Sequence, residues 1–422
     1  RSLSRFCRTR WTPARLIWPG VKLTGAHDYA LDLLAAVLGR GESSRLVREL
    51  RDDRRMVDSI SAYNYSSPWT EGFFGVDATL AGGSDQPVAE RYDALRHAVR
   101  AQIDQVMKDG VTDAELDRAK RKVLAGVLLS DQSAGAMAGR IAGDIIATGD
   151  PDYLMRYAHA VQELTSADLV AAAKAVLTPD QRIEVKLLPA DDEHPVTANN
   201  KLPAGAKHTP DDATTEPVEL DNQRLVGELR EALSEPGDES EVVRVDEPVM
   251  RRLDNGLRVI VAPSTAVPGV SVQLYQLGGL LSDEPGREGV ANATMQMLTK
   301  GTTGRTADQI AEAIEDLGAS LATASGNNTV YARAGALSED LPVVMELLAD
   351  VWLNPSFPED EWDKLRPRIV SAIQRQTDRW SGELSMAFRA AYFGDHPWSQ
   401  SALGRAEVVK ELTVQDLAEY HR

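Results

Sequence analysis

Apolar positions along the 422 residues fall into two stretches with clear periodicity, separated by one that has none. In the first stretch Ala14 to Leu23 reads as a strand. Between His27 and Leu38, Leu31, Leu34, Ala35 and Leu38 fall at i, i+3, i+4 and i+7, the spacing of one helix face, and Gly39 closes the run. Val57 to Tyr65 and Gly72 to Leu80 predict paired strands: Phe74, Val76, Ala78 and Leu80 alternate with smaller or polar residues, so one face is buried. Long helical patterns follow, one opening at Thr112 with Glu115 three residues on. In that capping box each side chain satisfies a free backbone N–H of the first turn. Arg182 to Leu188 ends the stretch as a strand.

The second stretch starts with Met250 to Ala262, where Asn255-Gly256 between apolar residues predicts a tight hairpin, since both residues tolerate positive φ. Val270, Val272 and Leu274 alternate as a further strand. Thr306 and Gln309 form another capping pair, and the stripe Ile310, Ala313, Ile314, Leu317 stops at Gly318. One sequence echo links the stretches: Glu163-Leu164-Thr165 with Asp168-Leu169 recurs as Glu411-Leu412-Thr413 with Asp416-Leu417, each a Thr-capped helix start with an acid at the positive end of the dipole. Both stretches therefore predict α+β units.

Between them, from about Pro189 to Pro248, periodicity disappears and Pro, Asp, Glu and Thr accumulate. Residues 209–247 hold 13 acidic and 3 basic residues, more than half of the chain's net charge of −18. Such a segment buries too little to fold alone and reads as a linker with one short helix near Leu225 to Leu233. The expected division is 12–190, an acidic linker over 191–248, and 249–422. No Lys/Arg cluster tracks phosphates, which argues against a nucleic-acid partner. No apolar run reaches the roughly 18 residues of a membrane span, and Arg1 to Arg15 lack the apolar stretch of a secretory signal. With Cys7 the only cysteine, no internal disulfide forms; periplasm and cytoplasm both remain open. A first residue other than Met, and a helix that opens at Thr413 just before Arg422, read as a piece of a longer protein.

Gly289-Val-Ala-Asn292-Ala-Thr-Met295-Gln296-Met297-Leu298-Thr-Lys300-Gly301-Thr302 resembles the active-site helix of the insulinase/pitrilysin zinc peptidases, which include mitochondrial processing peptidase. Gly318-Ala-Ser-Leu-Ala322, Thr329-Val-Tyr331 and Phe393-Gly394-Asp395-His396-Pro397 agree with that likeness. Ala30-Leu-Asp-Leu-Leu through Ser43-Ser44-Arg45-Leu46 looks like the family's second, inactive subdomain. The resemblance implies half-molecules of two similar α+β subdomains, each a mostly antiparallel sheet packed against helices in two layers, with paired halves closing around a chamber. Residues before the linker would end a first half, residues after it would begin a second, and the catalytic subdomain with its zinc would lie upstream of Arg1.

In that family a His-x-x-Glu-His helix supplies two imidazoles on one face to Zn2+ and a glutamate that activates water. Here those positions hold Asn292, Met295 and Gln296, and a third ligand, a Glu on a later helix, would fall at or next to Ala372. Neutral amides are poor zinc ligands, Met295 cannot take a proton, and Ala372 has no donor atom. The expectation is therefore a chain with no catalytic residue, metal ligand or cofactor of its own, forming wall and hinge of a peptide-degrading chamber. Its partners would be a peptide or unfolded protein and the other half of the same chain or a homologous subunit. Alternatives are a scaffold or binding module, or a pseudo-peptidase paired with a separate active subunit. Lys300-Gly301-Thr302 reads as a helix-ending turn rather than a phosphate loop, and Gly278-Gly279 as a close backbone approach.

Overall fold

The structure is a computed structural model that describes residues 2–7, 12–82, 84–129, 134–179, 182–189, 248–264, 267–378 and 380–422. The expected linker helix near Leu225 to Leu233 lies outside the described residues. Residues 1–196 and 268–422 make one compact unit and 197–267 a second.

In the first region of the large unit, strands β1 (Ser2–Cys7), β2 (Pro13–Pro19), β3 (Val57–Tyr65), β4 (Phe73–Leu80) and β5 (Ile183–Pro189) form a sheet in the order β1-β5-β2-β4-β3. Only β1 and β5 pair in parallel. The alternation in β4 is real: Phe74, Val76, Ala78 and Leu80 are buried, and Leu16 of β2 lies opposite Val76. Helix α1 (Asp28–Gly39) covers that face with Leu31, Leu33, Leu34 and Leu38 fully buried. It ends against β3 so closely that a Cβ on Gly39 would lie 2.3 Å from the Ala62 nitrogen, which is why glycine ends it. Helices α2 (Val88–Asp109), α3 (Asp113–Leu128), α4 (Ala134–Thr148), α5 (Tyr153–Glu163) and α6 (Ser166–Val176) follow. The expected capping box forms at Thr112/Glu115, and Thr165 with Asp168 forms another.

The small unit contains the expected hairpin, β6 (Val249–Arg252) with β7 (Arg258–Val261). Its turn is looser than the Asn-Gly signal implies. Gly256 takes a positive φ of 89° and Asn255 does not, and the Asn255 side chain instead accepts the Leu257 N–H at 3.0 Å.

The second region of the large unit has a three-stranded antiparallel sheet, β8 (Gly269–Leu277), β9 (Ser320–Ser325) and β10 (Thr329–Leu337), in the order β8-β10-β9. Helices α7 (Val290–Met297), α8 (Ala307–Asp316), α9 (Leu341–Leu353), α10 (Glu359–Arg375), α11 (Trp380–Phe393), α12 (Ala406–Glu411) and α13 (Val414–His421) surround it. Thr306/Gln309 and Thr413/Asp416 are capping boxes, so the sequence echo with Thr165 marks two equivalent helix starts. Both regions are α+β, but the second sheet is two strands smaller. Their cores stay separate: one apolar cluster draws only on residues before the linker, and two others only on residues after it.

Candidate functional site

Helix α7 is set by its first turn. Asp283 accepts the backbone N–H groups of Gly289 at 2.6 Å and Ala291 at 3.0 Å, satisfying donors that no intrahelical carbonyl can reach. Burial pushes the Asp283 carboxyl up to about 6, against those two bonds. One turn on, Asn292 and Gln296 share a helix face as their spacing requires: the Gln296 Nε2 donates to Asn292 Oδ1 at 3.1 Å. Asn292 is buried, and its Nδ2 has no partner among the described residues. Met295 points into the apolar core with Met297, Trp362 and Leu365, and its carbonyl accepts the Thr323 hydroxyl at 2.5 Å, tying α7 to β9. Trp362 anchors α10 beneath α12 by donating its Nε1 to the Leu412 carbonyl at 2.9 Å.

Gln296 and Ala372, the latter on α10, line one cleft of about 870 Å3. The positions singled out as zinc-ligand equivalents therefore lie on helices that meet at the same hollow. Their chemistry does not fit zinc: two neutral amides bonded to each other, a buried thioether and a methyl group supply neither imidazole nor carboxylate. Among the described residues no group of three or more His, Cys, Asp or Glu side chains could hold a metal ion.

The cleft's other walls come from β9, whose residues Ser320 to Thr323 line it, from Ile310 and Ile314 of α8, and from Glu42, Arg48 and Arg51 of the first region. Strand β9 pairs with β10 along one edge and has no second strand among the described residues. Arg51 and Asp52 sit on a π-helical turn, Val47–Asp53, of a kind often found at functional sites.

Sequence reasoning missed the seam beside the cleft. There Arg48 meets Glu312 at 2.6 Å, Arg118 meets Asp316 at 2.6 Å, Lys300 meets Glu42 at 2.9 Å, and Arg375 meets Asp58 at 3.1 Å. At its centre is Glu315, 6% exposed, which accepts from the Ser43 hydroxyl and pairs with Lys122 at 3.1 Å. Burial lowers the Lys122 pKa, opposed by Glu315. Gly318 makes this approach possible: its φ is 61°, and a Cβ there would lie 2.8 Å from the Arg121 carbonyl oxygen of α3.

Residues 14–123 match the family model described as the peptidase M16 inactive domain, and residues 258–405 match that of insulinase, peptidase family M16. An uncharacterized zinc protease from Mycobacterium bovis is 31% identical over 169 residues, 40% of this chain and 39% of that protein. One from Rickettsia bellii is 28% identical over 159 residues, 38% of this chain and 39% of that protein. Subunit 1 of the mitochondrial cytochrome b-c1 complex of Bos taurus is 30% identical over 177 residues, 42% of this chain and 36% of that protein. The matches thus span well under half the length of each relative. Among solved structures, a protease from Helicobacter pylori is 25% identical, with a TM-score of 0.40 over 45% of this chain and 44% of that one. A peptidase M16 inactive domain from Pseudomonas fluorescens is 22% identical, with a TM-score of 0.39 over 45% of this chain and 44% of that one. With one model matching each of its α+β regions, and the two together covering more than half of its residues, the chain belongs to the insulinase family, peptidase family M16.

Proposed function

We propose that this chain is a non-catalytic wall and hinge of a peptidase M16 chamber that holds a peptide or unfolded protein, while zinc chemistry is supplied by a different domain or subunit. The observation that carries this reading is the hydrogen-bonded Asn292–Gln296 pair, whose Gln296 lines the same cleft as Ala372, in a region that matches the insulinase family model. The unpaired edge of β9 on the cleft supports the holding role. A sheet edge offers alternating N–H and C=O groups to any extended chain, and the half-buried Ile314 and Leu321 add apolar surface to the same cleft.

Metal analysis tests the loss of chemistry. After incubation with zinc and desalting, the chain is expected to retain far less than one zinc per molecule. The combined change Asn292→His, Met295→Glu, Gln296→His and Ala372→Glu is expected to raise retention to about one. Tight stoichiometric zinc in the unaltered chain, lost on Gln296→Ala, would sink the proposal. The similarity to a cytochrome b-c1 complex subunit favours a second reading, a structural subunit of a stable assembly. Co-purification in fixed stoichiometry, without binding of unfolded peptides, would select that reading.

A further inference from the structure

Arg368 lies on α10 one turn before Ala372, in the wall of the same cleft. Its side chain is only 18% exposed, and its nearest acid is Asp52, with the guanidinium NH1 3.6 Å from Oδ1, beyond hydrogen-bonding range. Its Nε is buried without an acceptor among the described residues. A guanidinium carries five N–H donors, and buried polar groups are almost always bonded.

The neighbouring acids are already committed. Asp52 accepts the Arg51 Nε and NH2 at 2.8 Å each, and Glu42 accepts the Arg51 NH1 and NH2 at 3.0 and 2.9 Å and Lys300 at 2.9 Å. Glu361 accepts Lys364 at 2.6 Å. Arg51 and Lys300 thus take the close hydrogen bonds of Glu42 and Asp52, and Arg368 is left with the 3.6 Å ion pair to Asp52. Asp53, at the cleft rim, is exposed and forms no ion pair with it among the described residues. Burial, and after it the Arg51 charge, disfavour the Arg368 cation against the pull of Asp52, Glu42 and Glu361, and a carboxylate bonded to its fork would favour it.

We infer that Arg368 is the anchor of a carboxylate-binding subsite in the cleft, taking a carboxylate of the held peptide through its planar N–H fork. The carboxylate is either the peptide's C-terminus or an Asp/Glu side chain. This rests on the reading of the cleft as a peptide site.

The test is fluorescence anisotropy on the full chain with three labelled forms of one short neutral peptide: the free acid, the C-terminal amide, and the amide with one internal Glu. At least one carboxylate form is expected to bind about 10-fold to 100-fold more tightly than the plain amide, the range for a hydrogen bond to a charged group. Tighter binding of the free acid alone assigns the C-terminus, and of the internal-Glu form the side chain. Arg368→Met is expected to erase the difference, and Arg368→Lys to keep part of it. Equal binding of all three forms by the unaltered chain overturns the subsite but leaves the cleft as a peptide site. Binding of none overturns both, and neither result depends on a variant folding.

Discussion

Helix α1 in the first region buries ten of its twelve residues, whereas α11 in the second buries none of its fourteen and leaves Trp380, Leu384, Phe388 and Tyr392 each more than half exposed. The sheets differ in the same sense: five strands in the first region, and in the second three strands with exposed Tyr275 and Leu277 on the outer strand β8. Both regions use the same capping boxes and strand alternation, so local sequence signals do not separate them. What separates them is closure. The first region packs its central helix and sheet face into one large core, with Trp69, Ile146 and Met155 outside it, while α11 of the second presents an apolar stripe of the sort that marks interaction surfaces. Stability is therefore expected to be concentrated before the linker, and binding capacity after it.

The strongest way to break this contrast is a cavity in the first core. Leu34 is fully buried on α1, and Leu34→Ala is expected to cost about 2–5 kcal/mol, the transferred methyl groups plus an unfilled void. Denaturant unfolding should show the loss in a transition followed by Trp18, which lies in the same core. A cost near zero would mean that α1 is not the keystone its burial implies.

The next test bears on the seam between the regions. With Glu315→Ala, Lys122 keeps its bond to the Arg40 carbonyl but loses the one acid it pairs with among the described residues, and the expected cost is on the order of 3 kcal/mol, because a largely buried charge is left without a counter-charge. Arg118→Ala removes a pair whose acid, Asp316, is 56% exposed, and is expected to cost under about 1 kcal/mol. Similar losses from the two changes would show that the seam acts as diffuse surface charge rather than as a lock centred on Glu315.

That seam also marks where sequence stopped being informative. Periodicity located α1, β3, β4 and α8, because each buries one face and the burial writes a spacing into the chain. Helix α7 and the Asn292/Gln296 face were legible from local motif and helix geometry alone. Glu315 carries no motif in the sequence; its role comes from Ser43, 272 positions away. Ion pairs between distant elements leave no period, so neither the seam nor the buried Arg368 Nε without an acceptor among the described residues could be read before the fold was known.

A smaller effect sharpens the picture of the first region by pH. Asp32 is raised to about 6, mainly by burial and further by Asp28, despite hydrogen bonds from Asn64 at 3.1 Å and Tyr157 at 2.9 Å. An unfolded aspartate titrates near 3.9, so the folded state holds the proton more strongly. The resulting stability is complete below about pH 4 and is lost as pH rises through about 6. Asp32→Asn stays neutral at every pH and is expected to remove about 2 kcal/mol of the decline between pH 4 and 7, measured by urea unfolding at each pH. An unchanged decline would place the titration elsewhere, with Asp283 the first candidate, since it is also raised to about 6.

The smallest expected effect is the most direct test of closure. Trp380 is 79% exposed, so Trp380→Ser removes an aromatic ring that packs against little of its own chain, and stability should stay within about 0.5 kcal/mol. The ring belongs to a stripe at i, i+4, i+8 and i+12 with Leu384, Phe388 and Tyr392, so its loss should still lower the chain's binding of a hydrophobic dye or its self-association. The two readouts separate the possibilities. A stability loss above about 2 kcal/mol would mean that α11 packs into a core in solution, and the contrast with α1 would fail. Unchanged stability with reduced association is what an uncovered face requires: the tryptophan's apolar area then contributes only when something outside the chain covers it.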